Sequence, residues 1–146
     1  MIKNERQYLI TKAQMEKFAR ALAEGEAPMS GDPLLRKLEA DAIRSQLEEL
    51  GQQIEEYESL RSGRCGVIQA DSLEELPSAL VKARIAARLS QKELSERLNL
   101  KEQQIQRYEA TNYRSASLAR LQVAKALGVE VHASLLLGAG DSGSAA

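Results

Sequence analysis

Large rings are scarce in this chain: four Tyr, one Phe and no Trp among 146 residues. Leu, Ala, Glu, Gln, Arg and Lys dominate instead, and that composition favours helix over sheet. A single cysteine, Cys65, excludes a disulfide within the chain. It sits among SGRCG with no second thiol for redox chemistry and reads as inert. The single histidine, His132, has no partner spaced for a metal site or a triad. No Gly-rich phosphate loop and no clustered metal ligands occur, so no catalytic residue, metal or cofactor is expected. A run of about 18 apolar residues is also missing, which argues against a membrane span. The opening MIKNERQYLITK lacks the apolar stretch of a secretory signal. Together these absences favour the cytoplasm.

The length suits one ordinary domain or two very small ones, and 43% apolar residues allow a core. The net charge of −1 conceals an asymmetry. Residues 78–125 hold ten Lys and Arg against Glu93, Glu96, Glu102 and Glu109, a balance of +6. A basic segment in a near-neutral chain suggests an anionic partner, though a solvated charged face would look the same by charge alone.

Periodicity divides the chain. Tyr8, Leu9, Met15, Phe18, Ala19 and Leu22 share a face of a helix over about 5–25. EGEAPMSGDP, 24–33, breaks it. Asp32 before Pro33 is a start signal for a long second helix ending near Arg61. Ala40, Ile43, Leu47, Leu50, Ile54 and Tyr57 form a heptad-like seam, weakened by Gly51. A coiled-coil arm and an antiparallel helical hairpin both satisfy it. Val67-Ile68 is a brief β-like patch, and Ser72 with Glu75 has capping-box spacing for a helix restart. The expected organisation is an arm over 1–64 for dimerisation or partner binding, a linker over 65–71, a domain of short helices over 72–137, and a flexible tail over 138–146.

The densest information lies in SQKELSERLNLKEQQIQRYE, residues 90–109. Ser90 and Glu93 make a capping box, and Leu94 and Leu98 lie on one inner face. Asn99 tolerates the left-handed backbone of a tight turn. A second helix from about Glu102 has only Ile105 and Tyr108 as large apolar anchors. That leaves Gln103, Gln104, Gln106 and Arg107 unspent. Two short helices joined by a three-residue turn predict a helix-turn-helix, whose second helix enters the DNA major groove. Gln can bridge adenine and Arg guanine through paired hydrogen bonds.

LSQKELSERLNLKEQQIQRYE followed by LARLQVAKALGVEV resembles the lambda repressor/Cro-like helix-turn-helix family, also called the xenobiotic-response-element family, over about residues 76–131. The resemblance implies an all-α protein with a five-helix DNA-binding bundle after the N-terminal arm. It implies contacts from Gln91 at the start of the first motif helix, and from Glu102, Gln103, Gln104 and Arg107 in the groove. It further implies a buried pair between Arg84 and Glu109. Lys92 and Lys101 are placed to reach phosphate. Tyr113 and Arg114, in the loop ATNYRSAS, are either phosphate contacts or plain exposed side chains. Lys101 stands where the family has a Ser or Thr cap and cannot accept a hydrogen bond. Glu102 is an acid beside DNA, tolerable if it accepts from a cytosine amino group.

The layout of Ile2 to Tyr8, a Pro/Gly break, a long helix ending in Ile54-Glu-Glu-Tyr57 and then the motif is also similar to HigA-type antitoxins. Two functions follow as expectations. One is a dimeric repressor on a palindromic operator of double-stranded DNA. The other is an antitoxin that neutralises a small RNA-cleaving toxin through residues 1–64 and autoregulates its operon.

Overall fold

The computed structural model describes residues 1–24, 31–114, 116, 122–128 and 130–132. Among these the protein is all helix: α1 (Glu5–Glu24), α2 (Pro33–Arg61), α3 (Leu76–Ala86), α4 (Gln91–Arg97), α5 (Glu102–Ala110) and α6 (Gln122–Ala126). The expected fifth helix of the bundle and the tail 138–146 concern residues outside those described.

The seam of α2 closes on α1 as an antiparallel hairpin. Glu5 pairs with Arg61 at 2.5 Å, and the Tyr8 hydroxyl donates to Glu58 at 2.5 Å. Gly51 faces Met15 across the hairpin: a Cβ there would stand 3.8 Å from the Met15 Cε, an ordinary van der Waals contact. The start of α2 is fixed by Asp32, whose carboxylate accepts from the Leu34 N–H at 3.0 Å, with Pro33 in the first turn. In this register α1 ends opposite about Ala42. The turns of α2 before that point carry Leu34, Leu35 and Leu38 into solvent, 64%, 47% and 56% exposed.

The expected division at 65–71 does not divide the core. Ile2, Tyr57 and Leu60 belong to the same buried cluster as Val81, Ile85, Leu94, Ile105, Tyr113, Val123 and Leu127. The base of the hairpin is thus one wall of the short-helix bundle. Residues 65–71 hold neither helix nor strand, so Val67-Ile68 forms no strand pair among the described residues. The Ser72–Glu75 signal is used differently from expectation. Ser72 Oγ accepts from the Glu75 N–H at 3.3 Å, but around a turn, and α3 starts only at Leu76 with Pro77 in its first turn.

Three successive helices end alike. Arg88, Asn99 and Asn112 take left-handed φ of 56°, 55° and 48°. The next N–H in each case, from Leu89, Leu100 and Tyr113, reaches back to the carbonyls of Arg84, Ser95 and Tyr108 at 3.1, 2.8 and 2.7 Å. These are Schellman closures without glycine. Asn carries the conformation at small cost; a β-branched residue does not. Asn99→Val is therefore expected to lose about 1–2 kcal/mol, while Asn99→Gly leaves stability within about 0.5 kcal/mol of wild type. Denaturant titrations of both variants check this.

Candidate nucleic-acid interface

The helix–turn–helix is held from both ends. At the start of α4, Ser90 Oγ accepts from the Glu93 N–H at 3.1 Å and the Glu93 carboxylate accepts from the Ser90 N–H at 2.7 Å. The Ser90 backbone N–H, then its hydroxyl, holds the Glu93 carboxyl below its ordinary value. A carboxyl with a depressed folded-state pKa stabilises above the unfolded value and loses that contribution as pH falls through the folded one. The difference in melting temperature between wild type and Glu93→Gln is therefore expected to shrink on acidification through the carboxylate range. Thermal melts across that range would show it; a constant difference would mean the carboxylate is not the capping group.

α5 is capped by an unexpected residue. Lys101 occupies the cap position and has no acceptor, but Gln104 Oε1 reaches back to its N–H at 3.0 Å. This is half a capping box, supplied from the third residue of the helix. Inward, Ile105 and Glu109 are 0% exposed. Outward, Gln103 and Arg107 lie four residues apart on one exposed face, and neither side chain is bonded to any described residue. Glu102, on the flank, accepts from Gln106 Nε2 at 3.1 Å. Lys92, Lys101 and Arg114 are exposed, with side chains unengaged by any described residue.

Two of the residues named from the sequence lie differently. Gln91 is 7% exposed: its Nε2 donates to Glu109 Oε2 at 2.7 Å and its Oε1 accepts from Asn4 Nδ2 at 3.4 Å. Its amide serves the interior, giving the buried Glu109 carboxylate a further donor on Oε2. Tyr113 is no exposed loop side chain either. Its ring is 6% exposed and stacks on Tyr108 with centroids 5.9 Å apart. Burial, then the Glu109 charge, pushes its phenol well above the ordinary range.

Arg84 and Glu109 meet in the interior. Nε donates to Oε1 at 2.6 Å and Nη2 to Oε2 at 2.9 Å, with side chains 3% and 1% exposed. The remaining donors of Arg84 go to the Leu89 carbonyl at 2.7 Å and the Lys3 carbonyl at 2.5 Å. Lys3 in turn donates its ammonium to the Glu109 carbonyl and to Asn112 Oδ1, the latter at 3.1 Å. The first four residues are thereby fastened to the end of α5. Nothing in the sequence signalled this, because a tetrapeptide shows no periodicity.

Among the described residues no group of His, Cys, Asp and Glu could hold a metal, and no helix is long and apolar enough to cross a membrane.

Compared with known protein families, residues 80–132 match the model described as Helix-turn-helix. No curated protein and no solved structure matches the chain. The matched family is a DNA-binding regulatory one rather than an enzyme family, and it supports a DNA-binding transcription regulator.

Proposed function

We propose that the protein is a sequence-specific repressor that binds double-stranded DNA as a homodimer in the cytoplasm, reading a palindromic operator with α5. The observation that carries this is the outward pair Gln103 and Arg107, unengaged on a helix whose other face is locked by Ile105 and Glu109. A rigid helix presenting an amide and a guanidinium can meet adenine and guanine edges without reordering. A dimer follows from reach: one short helix contacts too few bases for genomic discrimination, and two copies on half-sites one turn apart supply the rest. Gln104 is spent on the cap and serves α5 before it serves DNA. Lys92, Lys101 and Arg114 take phosphate roles.

Arg107→Ala is expected to cost about 1–3 kcal/mol on the preferred site and to relax preference at one base position. Lys92→Ala is expected to weaken all duplexes alike and to flatten the salt dependence by about one unit. Titrations of both variants at several salt concentrations separate the roles. Arg107→Ala binding like wild type would remove α5 from the interface.

A second reading, an antitoxin that engages a small basic RNase, is supported by α2. Residues 45–58 hold no Lys or Arg. Glu56 pairs with Lys82 at 2.7 Å and Glu58 accepts from Tyr8, which leaves Glu48, Glu49 and Glu55 as the acidic surface below the exposed Leu34, Leu35 and Leu38. Such a surface complements a basic partner with apolar contacts. Co-purification of a small RNA-cleaving protein from the native host, abolished by Leu35→Asp with Leu38→Asp, would support it. Purification of the chain alone under the same conditions would count against it.

A further inference from the structure

We propose that the DNA-binding surface extends beyond the helix-turn-helix onto the start of α1, where Arg6 is a phosphate contact. This rests on the DNA-binding reading. Asn4 and Arg6 line the same open recess as Gln91, Glu102 and Gln106, so the first turn of α1 stands beside the start of α4 and the flank of α5. The segment before it is fixed in place. Ile2 is 3% exposed in the core, the Lys3 carbonyl accepts from Arg84, and Asn4 donates to Gln91. With the neighbouring backbone already fixed, binding has to order the Arg6 side chain and not the segment that carries it.

The charges around the recess single out Arg6. Glu5 is paired with Arg61 at 2.5 Å. Arg88 is spent on the Arg61 and Ser62 carbonyls at the end of α2, at 3.2 and 3.4 Å. The Glu93 carboxylate is turned to the Ser90 N–H, and Glu102 to Gln106. Arg6 is exposed and has no hydrogen bond or ion pair with any described residue. It is the cation of this recess left for an outside anion. A duplex against the outer face of α5 brings a phosphodiester strand past its flank. A guanidinium there gives affinity without sequence preference, since phosphate contacts position and base contacts specify.

The test uses the full chain and two duplexes, one selected by the wild type from a random pool and one scrambled. Arg6→Ala is expected to weaken both alike and to lower the slope of log affinity against log salt by about 0.9. The wild-type advantage over Arg6→Ala then shrinks about three- to fourfold between 50 and 200 mM salt. Arg6→Lys keeps the slope. Lys17→Ala, three turns further along α1, leaves slope and affinity unchanged. Melting temperatures of the Arg6 variants match wild type, which excludes misfolding as the cause. An unchanged slope for Arg6→Ala, with Arg107→Ala still impaired, overturns this proposal alone. Tighter binding by Arg6→Ala would also overturn it, by making the segment a shield over the surface. If Arg107→Ala too leaves affinity and selected motif unchanged, the DNA reading itself fails.

Discussion

Arg84→Ala is expected to destabilise the protein by about 3–5 kcal/mol, because it leaves the Glu109 carboxylate charged, buried and short of its two strongest donors. Glu109 is 0% exposed, and after the loss of Arg84 only Gln91 Nε2 among the described residues still donates to its carboxylate. The same substitution frees the Leu89 and Lys3 carbonyls that Arg84 holds at 2.7 and 2.5 Å. The end of α3, the end of α5 and the N-terminal segment therefore loosen together. Arg44→Ala is the control: its pair with Asp41 is exposed on one helix, and its removal is expected to cost about 0.5 kcal/mol or less. Denaturant unfolding of the two variants gives the comparison. The double variant Arg84→Met, Glu109→Leu is expected to recover most of the loss, since removing both charges leaves none uncompensated. Equal stabilities for Arg84→Ala and Arg44→Ala would mean the pair does not organise the bundle.

Ile105→Ala is expected to cost about 2–5 kcal/mol, by lost transfer energy and a cavity at the centre of the motif. α5 is nine residues long. A free helix needs about 12–15 residues to be even marginal in water, so α5 exists only because its inner face is packed. Ile105 and Leu94 are both 0% exposed and belong to one buried cluster that joins the two motif helices. Gln103→Ala, on the opposite face, is expected to change stability by no more than about 0.5 kcal/mol while weakening DNA binding. The contrast assigns one face of α5 to the fold and the other to recognition. Comparable destabilisation by both variants would show that the polar face also packs.

What was legible in the sequence follows from the range of the forces involved. Helix starts at Asp32 and Ser90 were readable because a cap and its N–H partner lie within three residues of each other. The Asn99 turn was readable because few residues tolerate its backbone. The hairpin was left open against a coiled coil because a seam of Leu and Ile states that a face is buried, not what covers it. The register came from Glu5–Arg61, Tyr8–Glu58 and Met15–Gly51, separations no local pattern encodes. Arg88 looked like an ordinary surface charge. Its left-handed φ closes α3 locally, whereas its clasp on the end of α2 exists only when α2 and α3 are docked. The family resemblance places Gln91 at the DNA, and loop position suggests that Tyr113 is exposed. Glu109 and the Tyr108 ring draw them inward instead. Lys101 left α5 without a conventional cap, and the answer was Gln104, itself a named contact residue.

The central claim, that α5 reads DNA sequence through Gln103 and Arg107, is tested most directly by selecting bound duplexes from a random pool with wild type and Arg107→Ala in parallel. The wild type is expected to enrich a palindrome with half-sites about one helical turn apart. Arg107→Ala is expected to enrich the same palindrome with one base position per half-site no longer specified. Recovery of no motif by the wild type, or of an identical motif by both proteins, would contradict the account.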